Sequence, residues 1–152
     1  MRSHVKRPTM ELTTFTMVLR FTLQLEDQTP QFYYNLAANS KFPQAKELFR
    51  KFSESSEKRK KELERTARES VDHSLLEPIA GIFEEAYALK TSVPESATLP
   101  DVVSTARALE QQMQDFYTQA GEKIKFISNV SRLYKRYVPD RAKALTALQD
   151  FS

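Results

Sequence analysis

Cysteine is absent from the 152 residues, and that absence removes several chemistries at once. Without a thiolate there is no disulfide framework, no iron–sulfur cluster, no cysteine nucleophile and no thiolate zinc site. A cytoplasmic location suits such a chain and is the expectation here. Tryptophan is also absent and glycine occurs only 2 times. Sheet proteins draw on turn glycines every few residues, so this scarcity points to helix. Histidine is confined to His4 and His73, and no two-histidine helix motif, glycine-rich phosphate loop or recognisable serine–histidine pairing occurs. Long apolar runs are missing as well. Leu12 to Leu25 follows the basic start Met1 to Pro8 in imitation of a secretion signal, but Arg20 interrupts it and no small-residue cleavage site follows. The stretch is too short and too polar to span a bilayer, and no membrane partner is expected.

What is present describes one soluble domain. Hydrophobic residues make up 40% and charged residues 28%, and the length suits a single core. Residues 1–8 read as a basic flexible arm and residues 9–152 as the domain. The net charge of +3 comes from closely mixed signs, so a nucleic-acid partner is not implied. The run Lys58 to Lys61, with Arg65 and Arg68, is interleaved with Glu57, Glu62, Glu64 and Glu69, as on a solvated helix face.

Apolar residues recur at spacings of three and four in four stretches, which predicts four amphipathic helices. They run through Phe15 to Leu36, Ala45 to Leu63, Val102 to Ala120 and Ile127 to Leu148. Asn39, Ser40 and Pro43 separate the first two, Asp101 is placed to cap the third, and Gly121 suggests a bend near its end. Pro30 and Pro139 fall inside helical patterns and predict kinks. Short links give two antiparallel hairpins, joined by a long crossover over 71–100 whose middle, Ile79 to Leu89, is expected to form a short helix.

The strongest signal is an internal repeat. Leu25-Glu26, five residues, then Phe32-Tyr33 recurs as Leu109-Glu110, five residues, then Phe116-Tyr117. Each hairpin thus reads as one half of a duplicated four-helix bundle. The tyrosines at 33, 34, 117, 134 and 137 fall at helical spacing and read as core.

The repeat resembles the rubrerythrin branch of the ferritin-like superfamily over residues 12 to 149. The resemblance implies a ferritin-like four-helix bundle of two antiparallel hairpins with a long crossover. It also implies a di-iron site built from a glutamate on each of helices one and three and Glu-x-x-His on each of helices two and four. Glu26 and Glu110 match the single glutamates. Anchored on Phe49 and Phe52, the other positions fall on Ser56 and Arg59; anchored on Tyr134 and Tyr137, they fall on Arg141 and Ala144.

Two readings stay open. In the first, Arg59 and Arg141 form ion pairs with Glu26 and Glu110 and fill a vacated site. The protein is then a non-catalytic structural or interaction module without a cofactor, pairing with itself through helix faces or with another protein. In the second, it is an atypical di-metal oxidoreductase that reduces peroxide or oxygen. Iron or another divalent metal would sit on Glu26 and Glu110, with Glu54, Glu57, Asp140 or His73. With no Cys-x-x-Cys module, its electron donor would be a separate protein.

Overall fold

The computed structural model describes residues 10–70 and 78–151. The basic arm and both histidines, His4 and His73, therefore lie outside the described residues. Four helices carry the fold: α1 (Phe15–Ala38), α2 (Lys46–Ser70), α3 (Leu99–Lys123) and α4 (Ser128–Gln149). No strand occurs among the described residues. The close helix packing is α1 against α2 and α3 against α4, so each short link closes a hairpin.

Capping explains where the helices begin. The Thr14 hydroxyl accepts from the Met17 amide and starts α1. At α3 the N-cap is Thr98, not Asp101. Asp101 stands three residues on, its carboxylate accepting from the Thr98 amide while the Thr98 hydroxyl accepts from the Asp101 amide. Two orphan donors are thereby satisfied reciprocally. A 3₁₀ turn over Pro43–Ala45 leads into α2. Gly121 lies inside α3, where an added Cβ would stand 3.4 Å from the Lys135 side chain, and its carbonyl accepts from Ser131 Oγ on α4 at 2.8 Å. It serves close helix approach, and α3 runs on to Lys123.

The prolines do not end their helices: α1 continues through Pro30 and α4 through Pro139. Pro30 has no N–H to give the Glu26 carbonyl one turn earlier. The Thr29 hydroxyl donates to that carbonyl at 3.2 Å. Ser53 Oγ donates to the Pro30 carbonyl at 2.9 Å and ties α2 to α1 at the same level.

The crossover departs from expectation. Instead of a helix over Ile79 to Leu89, the chain runs extended beside residues 10–13, with only one 3₁₀ turn at Glu84–Tyr87. Leu12 N–H donates to the Ile82 carbonyl, Ile79 N–H to Thr13 and Glu84 N–H to Met10, all within 3.0 Å. Those amides are spent on the neighbouring segment rather than on a helical ladder. Gly81 adopts φ +88°, a left-handed conformation that favours glycine, and so turns the chain at this point. Gln119 and Gln112 of α3 donate to the carbonyls of Gly81 and Ala86, which docks the crossover on α3.

The buried faces meet along the bundle axis. On α1 and α3 they are broad, and include Phe15, Val18, Leu25, Phe32 and Tyr33 on one and Val102, Ala106, Leu109, Met113, Phe116 and Tyr117 on the other. On α2 the fully buried positions are sparse: Phe49, Ser56 and Leu63, seven apart. Tyr134, Arg141 and Leu148 repeat that spacing on α4. Seven residues are two helical turns, so Ser56 and Arg141 occupy the midpoints of two narrow inward stripes.

Candidate functional site

Charged groups occupy the middle of this apolar interior. Glu26 is 0% exposed, while Glu110 and Arg141 are each 1% exposed. The two glutamates therefore lie within the core rather than at the edge of the apolar stripes, and their burial demands partners.

Arg141 supplies them. One terminal nitrogen, Nη2, donates to Glu26 Oε2 at 2.6 Å; the other, Nη1, donates to both oxygens of Glu110 at 2.9 and 3.2 Å. A planar guanidinium can hold two carboxylates in this way because its donors leave in a fixed fork. Ser56, facing the same space from α2, is small enough to leave room for it. Arg59 approaches from the rim with Nε 3.6 Å from Glu26 Oε2, and its Nη2 donates to Ser56 Oγ at 3.0 Å. It does not reach Glu110. The residues expected as two separate ion pairs are thus brought together as one cluster around Arg141. Two negative and two positive charges balance.

Two tyrosines complete the cluster, and they do so crosswise. Tyr33 on α1 donates to Glu110 on α3 at 2.6 Å, while Tyr117 on α3 donates to Glu26 on α1. Each copy of the repeat thus satisfies the carboxylate of the other. The tyrosine stands seven residues after its own glutamate, two turns along the same helix face, and so reaches across to the opposite one. Arg141 breaks the two-fold pattern, since its counterpart on α2 is Ser56. Around the cluster Tyr117 packs edge-on against Tyr134 and Tyr137, and Tyr33 against Phe52. Tyr134 and Thr22 share a hydrogen bond of 2.5 Å; because Thr22 spends its hydroxyl proton on the Val18 carbonyl, Tyr134 is the donor. Tyr34, the remaining member of the expected aromatic core, is 62% exposed instead.

The protonation states follow from these contacts. Burial pushes the Glu26 carboxyl up, but the charges of Arg141 and Arg59, with hydrogen bonds from Tyr117 and Arg141, outweigh it and hold it below its ordinary value. Burial acts to lower the Arg141 pKa, and the Glu110 and Glu26 charges override it and raise the value well above the ordinary range. Burial beside a carboxylate raises Tyr33 and Tyr117, which stay neutral donors. Glu26, Arg141 and both phenols therefore keep the forms their hydrogen bonds require.

The other candidate metal ligands lie elsewhere. Glu54 is exposed and paired with Arg50 on its own helix. Glu57 and Asp140 are exposed, and His73 is outside the described residues. Ala144 is half-buried and lines the cavity between α2 and α4. Among the described residues no three histidine, cysteine, aspartate or glutamate side chains are grouped to hold a metal. At the four positions that the resemblance assigns to further ligands stand a serine, two arginines and an alanine. A guanidinium has no lone pair to offer a cation, so these residues do not fit the di-iron group. Comparisons with family models, with curated proteins and with solved structures returned no match to this chain.

Glu26→Ala removes one carboxylate and leaves the buried Arg141 charge half-compensated; unfolding in urea should show a loss of about 3 kcal/mol, and an unchanged midpoint would refute the ion-paired core. Acid provides a second check. Because the folded carboxyl of Glu26 titrates below its ordinary 4.5, its contribution is complete above that pH and drains away as pH falls through the folded value. The stability gap between the parent chain and Glu26→Gln should therefore narrow below pH 4.5. A gap that stays constant into strong acid would contradict the assignment.

Proposed function

We propose that the protein is a rubrerythrin-like, ferritin-like bundle that has lost its di-iron site and serves as a non-catalytic structural or interaction module. The observation that carries this reading is the Arg141 guanidinium between Glu26 and Glu110, within hydrogen-bond distance of both. A cation there neutralises the carboxylates that would otherwise draw a divalent metal, and repels any metal that approaches. The crosswise tyrosines support it too, since they occupy carboxylate oxygens that a metal would need.

With that centre closed, the protein offers its surfaces to partners and performs no redox step of its own. The internal repeat supports descent from a duplicated hairpin, and the loss of carboxylate at Ser56 and Arg141 and of imidazole at Arg59 and Ala144 supports loss of the metal chemistry. Metal analysis of protein purified from iron-replete cells, together with a peroxide-consumption assay, tests the reading. Iron far below one atom per chain and turnover no faster than an iron-only control are expected. About two irons per chain, with peroxide turnover above that control, would instead establish the oxidoreductase reading.

A further inference from the structure

Between α2 and α4 an open cavity of about 420 Å³ runs from the surface down to Glu110. That volume lies within the range of small-molecule sites. Its walls carry the cations Lys58, Arg59, Arg136 and Lys143 and the carboxylates Glu62, Glu110 and Asp140. By count the two signs nearly cancel, but most of the acid is already committed.

Glu110 is taken by Arg141 and Tyr33. Glu62 accepts from Arg136 at 2.5 Å and from Tyr137 at 2.7 Å, which consumes Arg136 as well. Asp140 is left as the one carboxylate in the cavity wall without a hydrogen bond or ion pair among the described residues. Lys58 and Lys143 line the same cavity, both exposed and without such partners among the described residues. Arg59 also lines the cavity, with its charge shared with the core: Nη2 is bound to Ser56, and the buried Nε lies 3.6 Å from Glu26 Oε2 without a hydrogen bond. Even with the Arg59 charge assigned to Glu26, Lys58 and Lys143 outnumber Asp140, in a concave site with Phe52 and Ala144 as apolar wall.

We propose that this cavity binds a small oxyanion, a carboxylate or phosphate group on a compact body. Lys58, Lys143 and Arg59 hold its charge, and Phe52 and Ala144 receive its apolar part. Arg59 is suited to the role because its fork matches oxyanion geometry, while the two lysines act as mobile point charges. The site adds a ligand to the scaffold and does not depend on whether the core once held metal.

Titration of isotope-labelled protein with sodium phosphate and, separately, sodium malonate, each at constant ionic strength set with sodium chloride, tests this by amide NMR. Saturable shifts confined to residues 55–62 and 136–144 are expected with at least one of them. Saturation by phosphate alone identifies a phosphate-bearing ligand, by malonate alone a carboxylate, and by both a general oxyanion site. Lys58→Ala combined with Lys143→Ala, which alters only exposed side chains, should weaken binding about tenfold or more through the lost charge-assisted contacts. Absence of saturation with either anion, or undiminished affinity in the double variant, overturns the proposal.

Discussion

The guanidinium of Arg141, held between two carboxylates at the centre of an apolar bundle, is the constraint around which the rest of the structure is arranged. Neither glutamate would have its full set of buried partners without it, and Arg141 is paired at this depth only through both. The surrounding choices follow from that need. Ser56 leaves the space a larger side chain would fill. Thr29 satisfies the carbonyl that Pro30 strands. Tyr33 and Tyr117 each cap the carboxylate on the opposite helix, and Arg59 brings the second positive charge that the pair of glutamates requires.

Such a cluster contributes less to stability than its short distances suggest. Withdrawing each ion from water costs several kcal/mol, and a well-packed apolar core of the same shape can be as stable or more so. What the cluster does fix is register. Sliding one hairpin past the other by a helical turn, about 5.4 Å, would carry a carboxylate out of reach of the guanidinium and leave it buried and unpaired. Hydrophobic packing alone tolerates such slips far better. The four helices, with their narrow seven-residue stripes on α2 and α4, thus acquire one alignment from one polar centre.

The sequence carried much of this in readable form. Helical periodicity located all four helices, because their apolar residues recur strongly at the helical period. The doubled Leu-Glu and Phe-Tyr pairs singled out Glu26 and Glu110, and the resemblance, anchored on Phe49 and Phe52 and on Tyr134 and Tyr137, set Arg59 and Arg141 beside them. Contacts between distant residues were not readable. Nothing local states that Tyr33 serves Glu110 rather than Glu26, or that Arg141 spans both acids while Arg59 stops at one. The crossover differs for a related reason: a short helix is expected over Ile79 to Leu89, but pairing with residues 10–13 and the left-handed turn at Gly81 decide the conformation. Asp101 reads from sequence as the cap itself, whereas the N-cap is Thr98 and Asp101 is its reciprocal partner three residues on, a bond that emerges only when both ends are seen.

A bundle centre closed by its own cation changes what the fold can do. On the reading proposed above, its interior is a fixed polar joint, and recognition falls to the helix surfaces and to the cavity between α2 and α4. The most direct measurement is anomalous diffraction at the iron edge from crystals grown anaerobically with excess ferrous salt. An ion-paired centre predicts no iron peak among the four helices and the Arg141 guanidinium between Glu26 and Glu110. Strong paired peaks beside those carboxylates, with the guanidinium turned outward, would contradict it.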